Sequence, residues 1–163
     1  MILLFIRHGI AEDRDPEIWP DDHQRPLTAK GIRRFRRVAR CLRELCPEVE
    51  AVWSSPLVRA WQTAEILEEE AEWPAPEQLD ALKPGASPEA LLSFLSRRSS
   101  IDRGVLVGHE PGLSEAISFF LSGPEATVTV EMKKGGVASL RFGKSLRAGA
   151  GKLCWVATPR VLG

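Results

Sequence analysis

Arginine and histidine side chains stand together at the ends of three apolar stretches of this chain. Arg7 and His8 directly follow the first stretch, His109 follows the third, and Arg59 lies one helical turn after the second. A guanidinium presents a planar fork of donors that matches phosphate oxygens, and it stays charged at any relevant pH. A neutral imidazole can attack phosphorus, and a second imidazole can hydrogen-bond the oxygens as charge shifts during transfer. These residue types therefore predict phosphoryl chemistry with His8 as the nucleophile.

The charge state of His8 decides whether it can act in this way. A positively charged neighbour disfavours a second positive charge, so the flanking arginines are expected to lower the pKa of the His8 imidazole. We therefore expect His8 to be neutral, and hence nucleophilic, near pH 7.

Three predicted strands position these side chains. Residues 2–6 form a continuous apolar run, the pattern of a strand buried on both faces, and shorter strands are predicted over 51–54 and 105–107. In an open parallel sheet, ligands bind beyond the carboxyl ends of the strands. The residues that follow the three strands are thus expected to meet at one edge of the sheet.

The remaining elements indicate the fold class. Thr28 offers an N-cap hydroxyl to a helix that Pro47 ends, and the long polar loop over 9–26 is typical of one that covers a site. The pattern also predicts helices over 57–70, 88–96 and 111–121, a short strand near Leu79, and strands over 127–132, 136–142 and 153–158. Strand–helix alternation followed by a strand-rich end predicts a single three-layer α/β/α domain over residues 1–163. Its central sheet is expected to be mostly parallel, with antiparallel edge strands from the C-terminal region.

Four sequence blocks, in order, resemble the histidine phosphatase superfamily. Each lies at a predicted strand exit or helix start, and the likeness covers residues 1–121 and, more loosely, 135–159. The order, the spacing and the short chain resemble the compact branch, the SixA-type phosphohistidine phosphatases. The blocks are Arg7-His8-Gly9, Arg25-Pro26-Leu27-Thr28, Ser55-Pro56-Leu57-Val58-Arg59-Ala60 and Gly108-His109-Glu110-Pro111.

This resemblance implies roles for individual residues. It implies a phosphohistidine intermediate on His8, with the phosphate held by Arg7, Arg59 and His109. It further implies a phosphate-binding contribution from four more residues, with Ser55 closing the floor of the pocket and Arg25 pointing toward its entrance. These four are Gly9, Arg25, Ser55 and Glu110.

The region that supplies a proton donor in larger family members is short here. Between Pro74 and Gly85 the only acids are Glu77 and Asp80, and Asp80 is the possible donor, although neither lies in a recognisable donor motif. A protonated phosphoimidazole already carries a good leaving group, whereas an alkoxide needs an acid to protonate it. This favours a phosphohistidine substrate. A small-molecule phosphomonoesterase or mutase remains the alternative among enzymes, and a non-catalytic phosphate-binding module the alternative outside them.

Composition bounds the partners and the compartment. The chain of 163 residues has 22 basic and 22 acidic side chains, so it has no general attraction to nucleic acid or to a membrane. No apolar run approaches the roughly 20 residues of a membrane span. The three cysteines are odd in number and form no metal-type pair, so we expect them to be free thiols of a reducing compartment such as the cytoplasm. We expect a cytoplasmic monomer or weak dimer without metal or cofactor. Its expected partner is a phosphorylated protein, such as a phosphotransfer domain, or a small phosphorylated substrate.

One predicted helix is unusually rich in arginine. We interpret this surface as a solvated helix face, with an anionic-partner surface as the alternative. The arginines are Arg33, Arg34, Arg36, Arg37, Arg40 and Arg43.

Overall fold

Six strands form one sheet in the computed structural model, which describes residues 1–125 and 128–163. They are β1 (Ile2–Arg7), β2 (Ala51–Ser54), β3 (Glu77–Gln78), β4 (Arg103–Gly108), β5 (Val137–Arg141) and β6 (Lys152–Ala157). The order across the sheet is β3-β2-β4-β1-β5-β6. The first four strands in this order run parallel, while β5 pairs antiparallel with β1 and β6 with β5. The predicted α/β class, with antiparallel strands from the C-terminal region at one edge, is confirmed.

Among the described residues, five α-helices accompany the sheet. They are α1 (Ala29–Leu45), α2 (Val58–Ala71), α3 (Pro88–Ser96), α4 (Gly112–Ser122) and α5 (Pro159–Leu162). Thr28 caps α1 as predicted, because its hydroxyl oxygen accepts a hydrogen bond of 2.8 Å from the Gly31 amide. Of the helices that the structure describes, none has the length and apolar character that crossing a membrane requires.

The continuous apolar run of β1 is explained by cores on both sides of the sheet. Leu4 and Ile6 belong to the apolar cluster that also contains α1 and α2 side chains such as Phe35. Leu3 and Phe5 belong to a second cluster, which contains the apolar side chains of α3 and α4. Successive side chains of a strand point to opposite faces, so a central strand between two helical layers must be apolar at every position.

The strand predicted over residues 127–132 is wrong for the part that the structure describes. Residues 128–132 form no strand, and Thr127 lies outside the described residues. The carbonyl oxygens of Val128 and Val130 instead accept hydrogen bonds from Ser118 and Ser114 of α4, at 2.6 and 2.7 Å. Val130 and Met132 are buried while the residue between them is exposed. The period of two that suggested a strand therefore comes from packing against a helix.

Candidate active site

The register of the sheet brings the two predicted catalytic histidines together. β1 and β4 are parallel neighbours in which Arg7 pairs with Gly108, so His8 and His109 leave the sheet side by side. Their ring centroids are 5.1 Å apart, and both side chains are buried. Arg59 approaches from the first turn of α2, which follows β2.

These side chains line a cleft of about 670 Å³ at the carboxyl ends of the parallel strands. Six residues that the sequence nominated lie in its wall: Arg7, His8, Arg25, Arg59, His109 and Glu110. The wall also contains residues that were not nominated, among them Glu12, Asp13, Arg14, Asp22, His23, Lys83 and Lys134.

His8 is held as a neutral imidazole in one tautomer. Its Nδ1 lies 2.7 Å from the carbonyl oxygen of Gly9, which can only accept a hydrogen bond, so we assign the proton to Nδ1 and the free lone pair to Nε2. Burial, reinforced by His109 and the nearby arginines, lowers the pKa of His8 to about 3, although the bond to Gly9 opposes the shift. The expected direction is right, but burial contributes more than the arginines do.

His109 is oriented by a different partner. Its Nε2 lies 2.9 Å from the hydroxyl oxygen of Ser55, which in turn accepts a bond of 3.4 Å from the Leu57 amide. The Leu57 bond leaves the Ser55 proton free to be donated, so we assign that proton to the bond with Nε2 and place a proton on Nδ1 of His109. Burial, together with the charge of Arg59, lowers the pKa of His109 to about 3. Ser55 thus lies behind His109, fully buried, and positions it.

A loop carboxylate that the sequence did not nominate organises the arginines. Arg59 donates to the carbonyl oxygen of Asp22 at 2.8 Å and pairs with its carboxylate at 3.1 Å, and Arg25 donates to the same carboxylate at 2.8 Å. The bonds from Arg25 and Arg14, with the charge of Arg59, hold the pKa of the Asp22 carboxyl well below its usual range. The signal that could have found Asp22 was its place in the long polar loop, three residues before Arg25.

Buried donors in this cleft have no protein partner. Within residues 1–125 and 128–163, four buried side-chain nitrogen atoms lack a hydrogen-bond partner. Three of them are Nε of Arg7, Nε of Arg59 and Nδ1 of His109. Buried donors are normally satisfied, and several unpaired donors around one imidazole suit an anion such as phosphate, which accepts several hydrogen bonds.

Gly9 and α2 are joined by one threonine. The Gly9 amide donates to the Thr63 hydroxyl at 3.0 Å, and that hydroxyl donates to the carbonyl oxygen of Arg59 at 2.7 Å. Gly9 does not line the cleft; its backbone connects His8 to the helix that carries Arg59. Thr63 is therefore a positioning residue.

The structure separates the acids near the cleft. Asp80 is exposed, pairs with Lys83 at 2.8 Å and is not among the residues of the cleft wall, and Glu77 is exposed in β3. Glu110 does line the cleft, with its carboxylate oxygens 2.7 Å from the Ser114 hydroxyl. In the described parts of the chain, no group of three or more His, Cys, Asp and Glu side chains is placed to hold a metal ion.

Comparison with known proteins gives a consistent result. The family model described as "Histidine phosphatase superfamily (branch 1)" matches residues 3–83. An uncharacterized protein of Picosynechococcus sp. is 41% identical over 148 residues, which cover 88% of this chain and 86% of that protein. The structure of the protein histidine phosphatase SixA complexed with tungstate superposes with a TM-score of 0.88 at 25% identity, with full coverage of both chains. The alpha-ribazole phosphatase from Shigella flexneri shares the fold at 17% identity, with a TM-score of 0.76 and coverage of 98% and 97%.

Proposed function

Because the chain belongs to the histidine phosphatase superfamily, and is a phosphatase by that membership, we propose that it hydrolyses phosphohistidine on a protein through a covalent intermediate on His8. The observation that carries this proposal is a neutral, buried His8 in a cleft whose wall also contains three buried nitrogen atoms that have no hydrogen-bond partner among the described residues. The likeness to SixA, which is a protein histidine phosphatase, supports the choice of substrate.

In the first half-reaction the substrate phosphoryl group enters the cleft. Arg7, Arg59 and Nδ1 of His109 donate to its oxygens, and Nε2 of His8 attacks the phosphorus in line with the leaving nitrogen. A bond forms between His8 and phosphorus as the bond from phosphorus to the substrate imidazole breaks. A substrate ring protonated on its second nitrogen leaves as neutral imidazole, so no enzyme acid has to supply a proton.

In the second half-reaction water attacks the phosphorus of phospho-His8. The bond from phosphorus to Nε2 breaks and the electron pair returns to His8, while both protons of the water leave with the phosphate. The Gly9 carbonyl keeps its bond to Nδ1–H throughout, and this bond stabilises the cationic phosphoimidazole between the two steps.

The position of the acids supports a phosphoramidate substrate. The pKa of Asp22 is held too low for it to donate a proton near neutral pH, and Asp80 is turned toward Lys83 at the surface. A leaving group that needs no protonation fits this arrangement. Glu110, which does line the cleft, favours the second candidate, a small phosphate ester whose alkoxide it would protonate.

The test is trapping of the intermediate. Wild-type protein is mixed with a phosphotransfer domain carrying labelled phosphohistidine and quenched in alkali, because phosphohistidine is labile in acid. We expect label on the wild-type chain and none on His8→Ala. Turnover of phosphohistidine, phosphoserine and sugar phosphates is measured in parallel, and much faster turnover of the esters would reject the proposed substrate. A wild-type protein that binds phosphopeptide but is never labelled would point to a non-catalytic binding module.

A further inference from the structure

The arginines of α1 separate into two groups. On the side toward α2, three arginines are neutralised by glutamates near the end of that helix, with nitrogen–oxygen distances of 2.7 to 3.4 Å. These pairs join Arg36, Arg40 and Arg43 to Glu69, Glu70 and Glu72. This part of the arginine-rich surface is therefore used within the molecule.

The other group lines a groove of about 560 Å³ between α1 and α5. Leu162 holds α5 in place, since it is buried in the cluster that contains the α1 side chains. The charged residues of the groove are Lys30, Arg33, Arg34, Arg37 and Arg160. No aspartate or glutamate side chain lines it, and in the described parts of the chain none of these five cations has a carboxylate within ion-pair distance.

Basic residues connect this groove to the catalytic cleft. The Gly135 amide donates to the carbonyl oxygen of His8 at 2.9 Å, which places the preceding residue, Lys134, in the wall of the cleft. Lys134 also lies with Arg34 around a small cavity beside Gly9, and Arg34 belongs to the groove as well. One strip of positive charge thus runs from beside the nucleophile to α5.

We propose that the groove is a docking surface for an acidic protein that presents its phosphohistidine to the cleft. The inference rests on the proposed function and names the kind of partner that the catalytic cleft serves. The continuity through Lys134 lets one occupant fill the groove and the cleft together, which fits a phosphoprotein rather than a partner unrelated to catalysis. Val161, 77% exposed beside Arg160, adds an apolar contact of the kind found in protein interfaces.

The physical effect of the groove is on encounter and binding. The chain has no formal net charge, so attraction to an acidic partner must come from this local strip. Complementary exposed charges raise the association rate and lose their effect as salt screens them. The groove should therefore change KM for a protein substrate and leave the chemical step unchanged.

The test compares two variants with equal loss of charge on exposed positions. One removes groove cations (Arg33→Gln, Arg37→Gln and Arg160→Gln), and the matched control removes the paired cations (Arg36→Gln, Arg40→Gln and Arg43→Gln). The probes are an acidic phosphotransfer domain phosphorylated on histidine and a short neutral phosphohistidine peptide. For the domain we expect kcat/KM of the groove variant to fall about tenfold, as for a few exposed ion pairs, with the loss vanishing at high salt. The peptide should be turned over equally by all three proteins, and the control variant should match wild type on both probes.

Binding separates failure of docking from failure of the proposed function. The phosphorylated domain is titrated onto His8→Ala protein with and without the groove substitutions, a measurement that needs no turnover. Weaker binding to the groove variant, but not to the control variant, supports docking even if wild type does not hydrolyse the domain. Absence of hydrolysis would overturn the proposed substrate but not the docking surface. Equal affinity for the groove and control variants overturns docking. Groove-dependent binding of duplex DNA or phosphatidylserine vesicles, without groove-dependent binding of the domain, also overturns it.

Discussion

At the scale of single residues, two histidines of similar burial receive different tasks from one neighbour each. The Gly9 carbonyl accepts a hydrogen bond from Nδ1–H of His8, which leaves Nε2 with a free lone pair. The Ser55 hydroxyl occupies Nε2 of His109 and leaves Nδ1 as a donor. A ring with a free lone pair can be a nucleophile, and a ring with a free N–H can only stabilise negative charge. The division of labour is thus set by atoms outside the imidazoles.

Replacing Ser55 by alanine should test this assignment. Without the hydroxyl, His109 can adopt the tautomer that lacks the Nδ1 proton, so we expect kcat to fall about tenfold, as for one hydrogen bond of about 1.4 kcal/mol, with KM nearly unchanged. Nitrogen-15 chemical shifts of His109 should show the tautomer change directly. Ser54→Ala is the matched control, because the one hydrogen bond of the Ser54 hydroxyl within the described parts of the chain goes to the adjacent Ser55 carbonyl, at 3.0 Å. Loss of activity without a change in the His109 shifts would contradict the assignment.

At the scale of elements, parallel register places the histidines and one threonine fixes the distance to α2. The pairing of β1 with β4 settles which residues leave the sheet together, but it does not settle where Arg59 lies. Besides Asp22, the hydroxyl of Thr63 contributes to that position, because it bonds both the Gly9 amide and the Arg59 carbonyl. A fully buried group with two such bonds is a sensitive point of the site.

Thr63→Val should therefore reduce both stability and activity. Valine has nearly the same shape but leaves the buried Gly9 amide without an acceptor, so we expect the free energy of unfolding to fall by about 1–3 kcal/mol. The turnover number should also fall, because His8 and Arg59 lose their common anchor. Thr63→Ser retains the hydroxyl and should stay near wild type in activity. Urea unfolding and kcat measure the two effects, and a valine variant that matches wild type in both would show that Thr63 contributes only volume.

The sequence predicts local elements well and contacts between distant loops poorly. The strand over residues 2–6 and the helix that begins after Thr28 are confirmed. Both depend on local features of the sequence, an unbroken apolar run and a capping hydroxyl. The segment over 128–132 has a strand-like period because it packs on α4. Its alternating pattern would be the same if it packed against a neighbouring strand, so the sequence alone does not show which of the two it contacts. Asp22 was missed for a related reason. Its ion pair with Arg59 joins the long polar loop to the first turn of α2, and nothing in the residues around either one specifies that contact.

At the scale of the whole molecule, equal numbers of acids and bases conceal an uneven distribution. The acids at the end of α2 neutralise one side of α1, while the groove toward α5 keeps its positive charge. The cleft likewise contains both Asp22 and several cations in its wall. A formal charge of zero therefore does not describe the electrostatic field that a substrate meets at the cleft and the groove.

The two buried histidines should make global stability depend on acid. Burial lowers the pKa of each to about 3 in the folded state, against 6.5 in an exposed state, so above pH 6.5 neither state takes up a proton there and stability is complete. As the pH falls below 6.5, His8 and His109 each bind a proton in the unfolded chain but stay neutral in the folded chain. The free energy of unfolding should drop by up to about 1.4 kcal/mol per pH unit for each histidine until the pH nears 3.

Urea unfolding at pH 7, 6, 5 and 4.5 measures the slope, and the double variant His8→Asn with His109→Asn should flatten it. His23→Asn, at an exposed histidine, is the control and should leave the slope as in wild type. A wild-type curve that is flat from pH 7 to 4.5 would show that the histidines are not held neutral by the fold.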